Sequence, residues 1–375
     1  MMSFFGRSVF PANFQATILS PDWPSGFWSH LVIFVVILFV FFIFMAVAFI
    51  YFERRVISRF QIRIGPNRTG PFGLLQPIAD VIKILIKEDI IPFNVDKIIH
   101  LLAPAVAVVP AIMVFAVIPF QNGASLVDLN VGLLYIVAIS SVSVVGMVMA
   151  GWGSNNKYGL VSAMRVIAQV VSYEIPLALA IIGVVLYAGT LSMNAIVQAQ
   201  SIPYILLQPM GFLIYFLASM AEINRTPFDL LEAESEIVAG YNIEYSGFKF
   251  ALFYLTEYTE ALAVTTIITT LYLGGWKGPF LPPVIWFLIK VFAVFVLIIW
   301  VRATLPRLRI DQVMGFAWKF LLPLAFINLL VTGIQIAVWP DISQWVMVGV
   351  NIIVAAVSIL LFSRFFRLNG DKVEG

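Results

Sequence analysis

Eight of the chain's twenty carboxylates fall between Glu222 and Glu260: Glu222, Asp229, Glu232, Glu234, Glu236, Glu244, Glu257 and Glu260, with only Arg225 and Lys249 to offset them. Crowded carboxylates raise one another's proton affinity and titrate as a group, which is what a relay of protons at neutral pH requires. Helical spacing sorts them. Glu257 and Glu260, at i and i+3, share a face. If DLLEAESE is helical from Asp229, Glu232 and Glu236 share a face, Glu234 points elsewhere, and Asp229 with Glu232 makes a capping box. The plainer reading is a solvated, acid-rich cap between two helices. Against it stand the interspersed Phe228, Leu230, Ile237, Tyr241, Tyr245 and Phe248, which suit packing or a lined cavity. Three further charges lie inside apolar runs: Arg165, Glu174, and Lys290 in the middle of VIWFLIKVFAVFVLIIW. An ionisable group at a bilayer centre costs roughly 2.5–3.5 kcal/mol, so each needs a partner or a cavity. A structural ion pair, such as Lys290 with Glu257, accounts for any one of them. It does not account for the set, because carboxylates outnumber bases there.

Composition says what surrounds these charges. The chain of 375 residues is 61% hydrophobic and 11% charged, against about a quarter charged in soluble domains, so it is an integral membrane protein. With no cysteine, thiolate-ligated iron–sulfur clusters, disulfides and a Cys nucleophile are excluded. His30 and His100 fall near opposite membrane faces and cannot share a haem. There is no Walker loop, nicotinamide fingerprint or zinc-type spacing, so no metal site, no catalytic residue of this chain's own and no nucleic-acid site is expected. Residues 1–27 lack the continuous apolar core of a cleavable signal.

About 20 apolar residues span a bilayer as a helix, and nine segments qualify: 28–52, 97–119, 131–152, 159–188, 203–222, 249–274, 283–301, 318–338 and 344–364. The fold class is therefore all-α and polytopic. Eighteen of the 22 Lys and Arg residues fall on one side of this map, which places the N-terminus outside and the C-terminus inside. The acidic stretch then begins on the inner face. One apolar segment, 71–91, does not span. Gln76, Asp80, Lys83 and Lys87 form one polar stripe on it, the pattern of an amphipathic helix lying in the interface. It is either a lipid anchor or one wall of a site at membrane level, and the two are evenly matched. No internal repeat is visible, which weakens a transporter reading.

Four stretches in order, ERRVISRFQIRIGPNRTGPFGLLQPIADVIKILIKED, GWGSNNKYGLVSAMRVIAQVVSYEIPL, EINRTPFDLLEAESEIVAGYNIEYSGFKFALFYLTEY and VRATLPRLRIDQVMGFAWKFLLPL, carry a resemblance. Residues 28–338 resemble the NADH dehydrogenase subunit 1 family, also called the H-subunit family: the membrane subunit that forms the quinone chamber of proton-pumping NADH:quinone oxidoreductase, complex I. The resemblance implies a core of eight spanning helices, so that 344–364 is an addition. It also implies that quinone, ubiquinone or menaquinone, is a substrate entering between the interfacial helix, helix 1 and helix 6. FMN, NADH and iron–sulfur clusters would belong to partner subunits only. Carried over onto this sequence, Glu53, Arg54, Arg55, Arg59 and Arg63 belong to the tunnel mouth and to docking of soluble subunits, and Asp80 and Lys83 to the tunnel. Glu174, Glu222, Asp229, Glu232, Glu234, Glu236, Glu244, Glu257, Glu260 and Lys290 belong to proton coupling.

The implied partners are the soluble quinone-site and iron–sulfur subunits on the inner face, the small and antiporter-like membrane subunits, and the lipid bilayer. The expected organisation is an N-terminal extension (1–27), one transmembrane core (28–338, with the interfacial helix at 71–91 and the acidic inner loop at 222–248) and an added helix and tail (339–375). The expected location is the bacterial inner membrane, with the mitochondrial inner membrane as the alternative. Competing readings are the equivalent component of a membrane-bound hydrogenase or ferredoxin-linked quinone reductase, and an autonomous ion or proton carrier.

Overall fold

The computed structural model describes residues 27–123, 125–230, 238, 240–338 and 343–365, with side chains of the first helix described from Ile43 and of the last to Phe362. Ten principal helices are present among these residues: α1 (Phe27–Phe60), α2 (Gln76–Ile86), α3 (Lys97–Met113), α4 (Gly132–Gly153), α5 (Lys157–Ala188), α6 (Pro209–Glu222), α7 (Gly247–Tyr272), α8 (Pro283–Thr304), α9 (Leu322–Val338) and α10 (Gln344–Phe365). A short helix, Ile310–Phe316, runs into α9 through a π turn, Ala317–Leu321.

The helices begin and end where local chemistry says they should. Asp96 accepts from the amides of Ile98 and Ile99 to open α3, and the Asn156 side chain accepts from Tyr158 N to open α5. Gly189, at φ 66, closes α5 in the left-handed conformation that only glycine adopts without penalty. Helix α1 continues past the apolar run predicted at 28–52. Its 34 residues reach about 51 Å at 1.5 Å per residue, because Glu53, Arg54 and Arg55 find partners and the helix continues through them.

Among the described residues, six helical segments are long and apolar enough to cross a membrane by length and composition: 97–117, 132–153, 157–188, 283–304, 310–338 and 344–362. Two others among the predicted spans depart from that criterion for opposite reasons. Helix α6 has only 14 residues, because the expected segment 203–222 breaks at Gln208 into Tyr204–Leu207 and Pro209–Glu222. Helix α7 is long enough but carries Glu257, Glu260 and a run of threonines. It is the central helix, packed against α1, α2, α3, α6 and α8, with 19 of its 26 residues buried. Protein rather than lipid surrounds it. The hydroxyls of Thr265, Thr266, Thr269 and Thr270 are satisfied by carbonyls of their own helix at 2.7–2.8 Å, so a helix of modest apolarity is buried without orphaned donors at these positions.

Helices α3 and α4 pack most extensively, across Ala103, Ala107 and Ala111 on one and Gly146 and Ala150 on the other, all small. A Cβ on Gly146 would stand 2.5 Å from Ala107 N, so glycine there sets how closely the two backbones approach. Helix α10 docks on α6, α9 and the Tyr204–Leu207 turn. Its Asn351 Nδ2 donates to Leu207 O at 2.6 Å and to Tyr187 Oη at 3.2 Å, while Gln335 Nε2 donates to Asn351 Oδ1 at 2.7 Å.

The amphipathic helix is shorter than expected. A 3₁₀ turn, Pro71–Gly73, precedes α2, which ends at Ile86 because Lys87 turns extended (ψ 142). Its polar stripe turns inward at Gln76 and Asp80, whereas Ile78, Ile82 and Ile86 are exposed.

Candidate functional site

Between α1, α2 and α7 lies a chamber of about 460 Å³. Ile43, Ala46, Val47 and Ile50 of α1 form one wall, Pro77, Val81 and Ile84 of α2 a second, and Ala251, Leu252 and Leu255 of α7 a third. Its rim includes the exposed side chains of Leu85, Phe248 and Tyr254. Helix α2 is therefore a wall of this chamber as well as an outward apolar face. It is pinned by an ion pair between Arg54 and Asp80, by Gln76 Nε2 donating to Asp80 Oδ1 at 3.1 Å and by the Tyr51 hydroxyl donating to Phe72 O at 3.1 Å. Lys249 pairs with Asp89 at 2.9 Å, and Ser246 bonds the backbone of Glu88 and Ile90. The segment after α2 is thereby tied to the start of α7.

The deep end is charged. Glu53, buried, accepts from Arg225 Nη1 at 3.1 Å and from Arg302 Nη1. The other arm of Arg225 reaches Glu257 Oε1 at 3.1 Å, and its guanidinium lies over the Tyr258 ring, 4.8 Å from the centroid. Two carboxylates and two guanidinia compensate one another, the condition for holding such groups out of water. Arg302 also lines a second, small cavity of about 40 Å³ with Asn224, Asp229, Glu257 and Glu260. Glu260 in turn lines a third, also about 40 Å³, with Glu222, Ser140, Ser143 and Tyr215. Glu174 is near enough to Glu222 to interact electrostatically. The three cavities thus share lining residues in sequence: Arg302 joins the chamber to the second, and Glu260 joins the second to the third.

Not every residue singled out in the sequence takes part. Glu53, Arg54 and Asp80 line the chamber, whereas Arg63 lines a separate cleft with Arg54 and Ser58. Arg55 meets Tyr51, and Arg59 and Lys83 are exposed away from the chamber lining. Glu244 accepts from Asn156 Nδ2 at 2.6 Å and its carbonyl bonds His100, whose ring stacks on Tyr245 at 4.1 Å. That makes Glu244 a fastening between the starts of α3 and α5 and the segment before α7, and burial pushes the neighbouring Tyr245 hydroxyl's pKa up. The Lys290–Glu257 pair does not form. Lys290 Nζ donates to the carbonyls of Leu273, Gly275 and Lys277 at 2.6–3.0 Å. It snorkels instead, because α8 begins at Pro283, only two turns earlier, and the turn closing α7 folds over it. Asp229 is not in a helix, and Glu232, Glu234 and Glu236 lie outside the described residues. Arg225, Arg302, Tyr258, Ser140 and Ser143 were not legible as site residues. Both arginines counted among the inner-side topology charges, Arg225 also as an offset to the acidic stretch, and nothing in the sequence singled out the serines.

Residues 32–333 match the family described as NADH dehydrogenase. The chain is 64% identical over 350 residues to the H subunit of NADH-quinone oxidoreductase from Dehalococcoides mccartyi strain CBDB1, covering 93% of this chain and 99% of that protein. This chain belongs to the NADH dehydrogenase subunit 1 family. The H subunit from Brevibacillus brevis is 48% identical over 325 residues, 85% of this chain and 96% of its own length. That from Bacillus mycoides is 52% identical over 288 residues, 75% and 86% respectively. Membership makes the chain a membrane subunit of an oxidoreductase complex, and its cysteine-free sequence offers no thiolate to a cluster.

Proposed function

We propose that the chamber between α1, α2 and α7 admits a quinone from the bilayer, and that the shared-wall cavities beyond it carry the resulting charge change into the membrane as proton movement. The observation that carries this reading is the chamber's polarity gradient. It is apolar along Ala46, Ile50, Val81 and Leu252 and ends on Glu53 and Arg302. Its volume of about 460 Å³ lies in the range of roughly 300–1,000 Å³ for small-molecule sites. An isoprenoid tail suits such walls, and a headgroup that gains electrons and protons suits the charged end. The reduction itself belongs to clusters in the soluble partners, which this chain positions the quinone to meet. The exposed basic turn around Arg59 and Arg63, with Ile62 and Ile64 beside it, is the surface we assign to them. The antiporter-like subunits would lie beyond Glu174. The membrane is the bacterial inner membrane, with the basic loops facing the cytoplasm.

Narrowing the chamber tests the assignment. In the intact complex, Ala46→Trp and Ala251→Phe are expected to raise the KM for a long-chain quinone severalfold while NADH oxidation by a soluble acceptor is unchanged. A photoreactive quinone should label α1, α2 or α7. Unchanged quinone kinetics in both variants, with labelling elsewhere, overturns the assignment.

A further inference from the structure

The third cavity contains more than carboxylates. Ser140 and Ser143, at i and i+3 on α4, sit on its lining with Glu222 and Glu260. Ser140 lies beside the Glu222 carboxyl and Ser143 beside that of Glu260. Both hydroxyls already donate inside their own helix, Ser140 to Val137 O at 3.1 Å and Ser143 to Ser140 O at 2.9 Å. Their lone pairs therefore remain free to accept. Glu260 Oε1 is buried without a hydrogen-bond partner, and the same side chain lines the cavity on the chamber side. About 40 Å³ exceeds the roughly 10–15 Å³ that one water needs, and five polar side chains, with Tyr215 the fifth, line it.

We propose that the hydroxyls of Ser140 and Ser143, with water in this cavity, form the rung that carries a proton between Glu260 and Glu222. The proton leaves the Glu260 carboxyl for the lone pair of a hydroxyl or water. That group releases its own proton toward the Glu222 carboxylate, and rotation of the hydroxyl restores the start; no atom is gained or lost. The same geometry explains why α4, otherwise apolar where it faces this cavity, presents two serines there. The rung rests on the reading of the carboxylates as a proton path and adds the element that joins two of them.

The experiment uses the intact complex in proteoliposomes and compares Ser140→Ala/Ser143→Ala with Ser140→Thr/Ser143→Thr and with Glu222→Gln/Glu260→Gln. The alanine pair is expected to lower protons pumped per electron, or coupled turnover, severalfold. It should also shift the carboxylic C=O infrared band of Glu222 or Glu260, and the threonine pair should restore both. If the glutamine pair abolishes pumping but the alanine pair pumps and absorbs like wild type, the rung is wrong and the path stands. If the glutamine pair also pumps normally, the path itself is wrong. Loss of pumping in the alanine and threonine pairs alike, with no infrared shift, marks the serines as packing residues and overturns the rung.

Discussion

At the scale of residues, Arg225 holds the deep end together, because its two arms reach Glu53 and Glu257, each at 3.1 Å. Only a guanidinium offers that fork; an ammonium is a point charge and satisfies one carboxylate well. Removing one partner from a buried ion pair costs about 3–5 kcal/mol, since the other charge is left uncompensated. Arg225→Ala is therefore expected to destabilise the complex by no more than about 3 kcal/mol, since Glu53 keeps Arg302 and Glu257 is 28% exposed, and Arg225→Lys by less, read from thermal denaturation in detergent. Arg302 would still contact Glu53 in both variants, so the contact at stake is the one from Arg225 to Glu257. Equal stability of all three proteins would remove the compensation argument. The same scale explains Lys290. Its position in the apolar run required a partner or a cavity, with an ion pair to Glu257 as one alternative, and three carbonyls within 3.0 Å satisfy all three of its donors. It is bound to backbone at the end of α7.

At the scale of elements, α7 and α10 show how polarity is distributed. Helix α7 carries the carboxylates because other helices shield it from lipid. Helix α10 carries one asparagine turned toward the bundle, and Asn351 caps the carbonyl at which the segment 204–222 breaks. An unsatisfied buried carbonyl costs about 1–3 kcal/mol, although interhelical hydrogen bonds in membranes average only about 0.6 kcal/mol. Asn351→Leu is expected to lower stability by about 1–2 kcal/mol and to open the 344–365 helix to proteolysis at its start, while quinone reductase activity survives, because α10 does not line the chamber. Wild-type protease resistance in this variant would show that apolar packing alone holds α10. Helix α2 makes the complementary point. A polar stripe on an apolar helix does not say which face meets the protein, and here only its first half, Gln76 and Asp80, turns inward, where Arg54 pairs with Asp80.

At the scale of the molecule, the eighteen cations assigned to the inner side lead us to propose a topology that reporters test directly. A fusion after Gly370 is expected to report the cytoplasm, and an insertion in the 276–282 turn the outside; the reverse pair would invert the proposed orientation. Composition and period, which are local, were enough for the all-α class, the course of the long apolar helices and the amphipathic segment. Four long motifs were enough for the family. Glu222, Asp229, Glu257 and Glu260 were nameable because carboxylates among apolar residues are conspicuous, Asp80 because it lies on a polar stripe, and Glu53 through the resemblance. Which of them meet is a property of the folded chain alone. Glu53 and Arg225 lie 172 residues apart, and no periodicity links them; burial brings them together because neither charge is tolerable alone. The serines of α4 acquire meaning only when a cavity forms beside them, and Lys290 loses its expected partner only when the turn after α7 folds over it. Local patterns fix where a charge sits along the chain, but its chemistry is set by the compensating groups that folding places within a few ångströms of it.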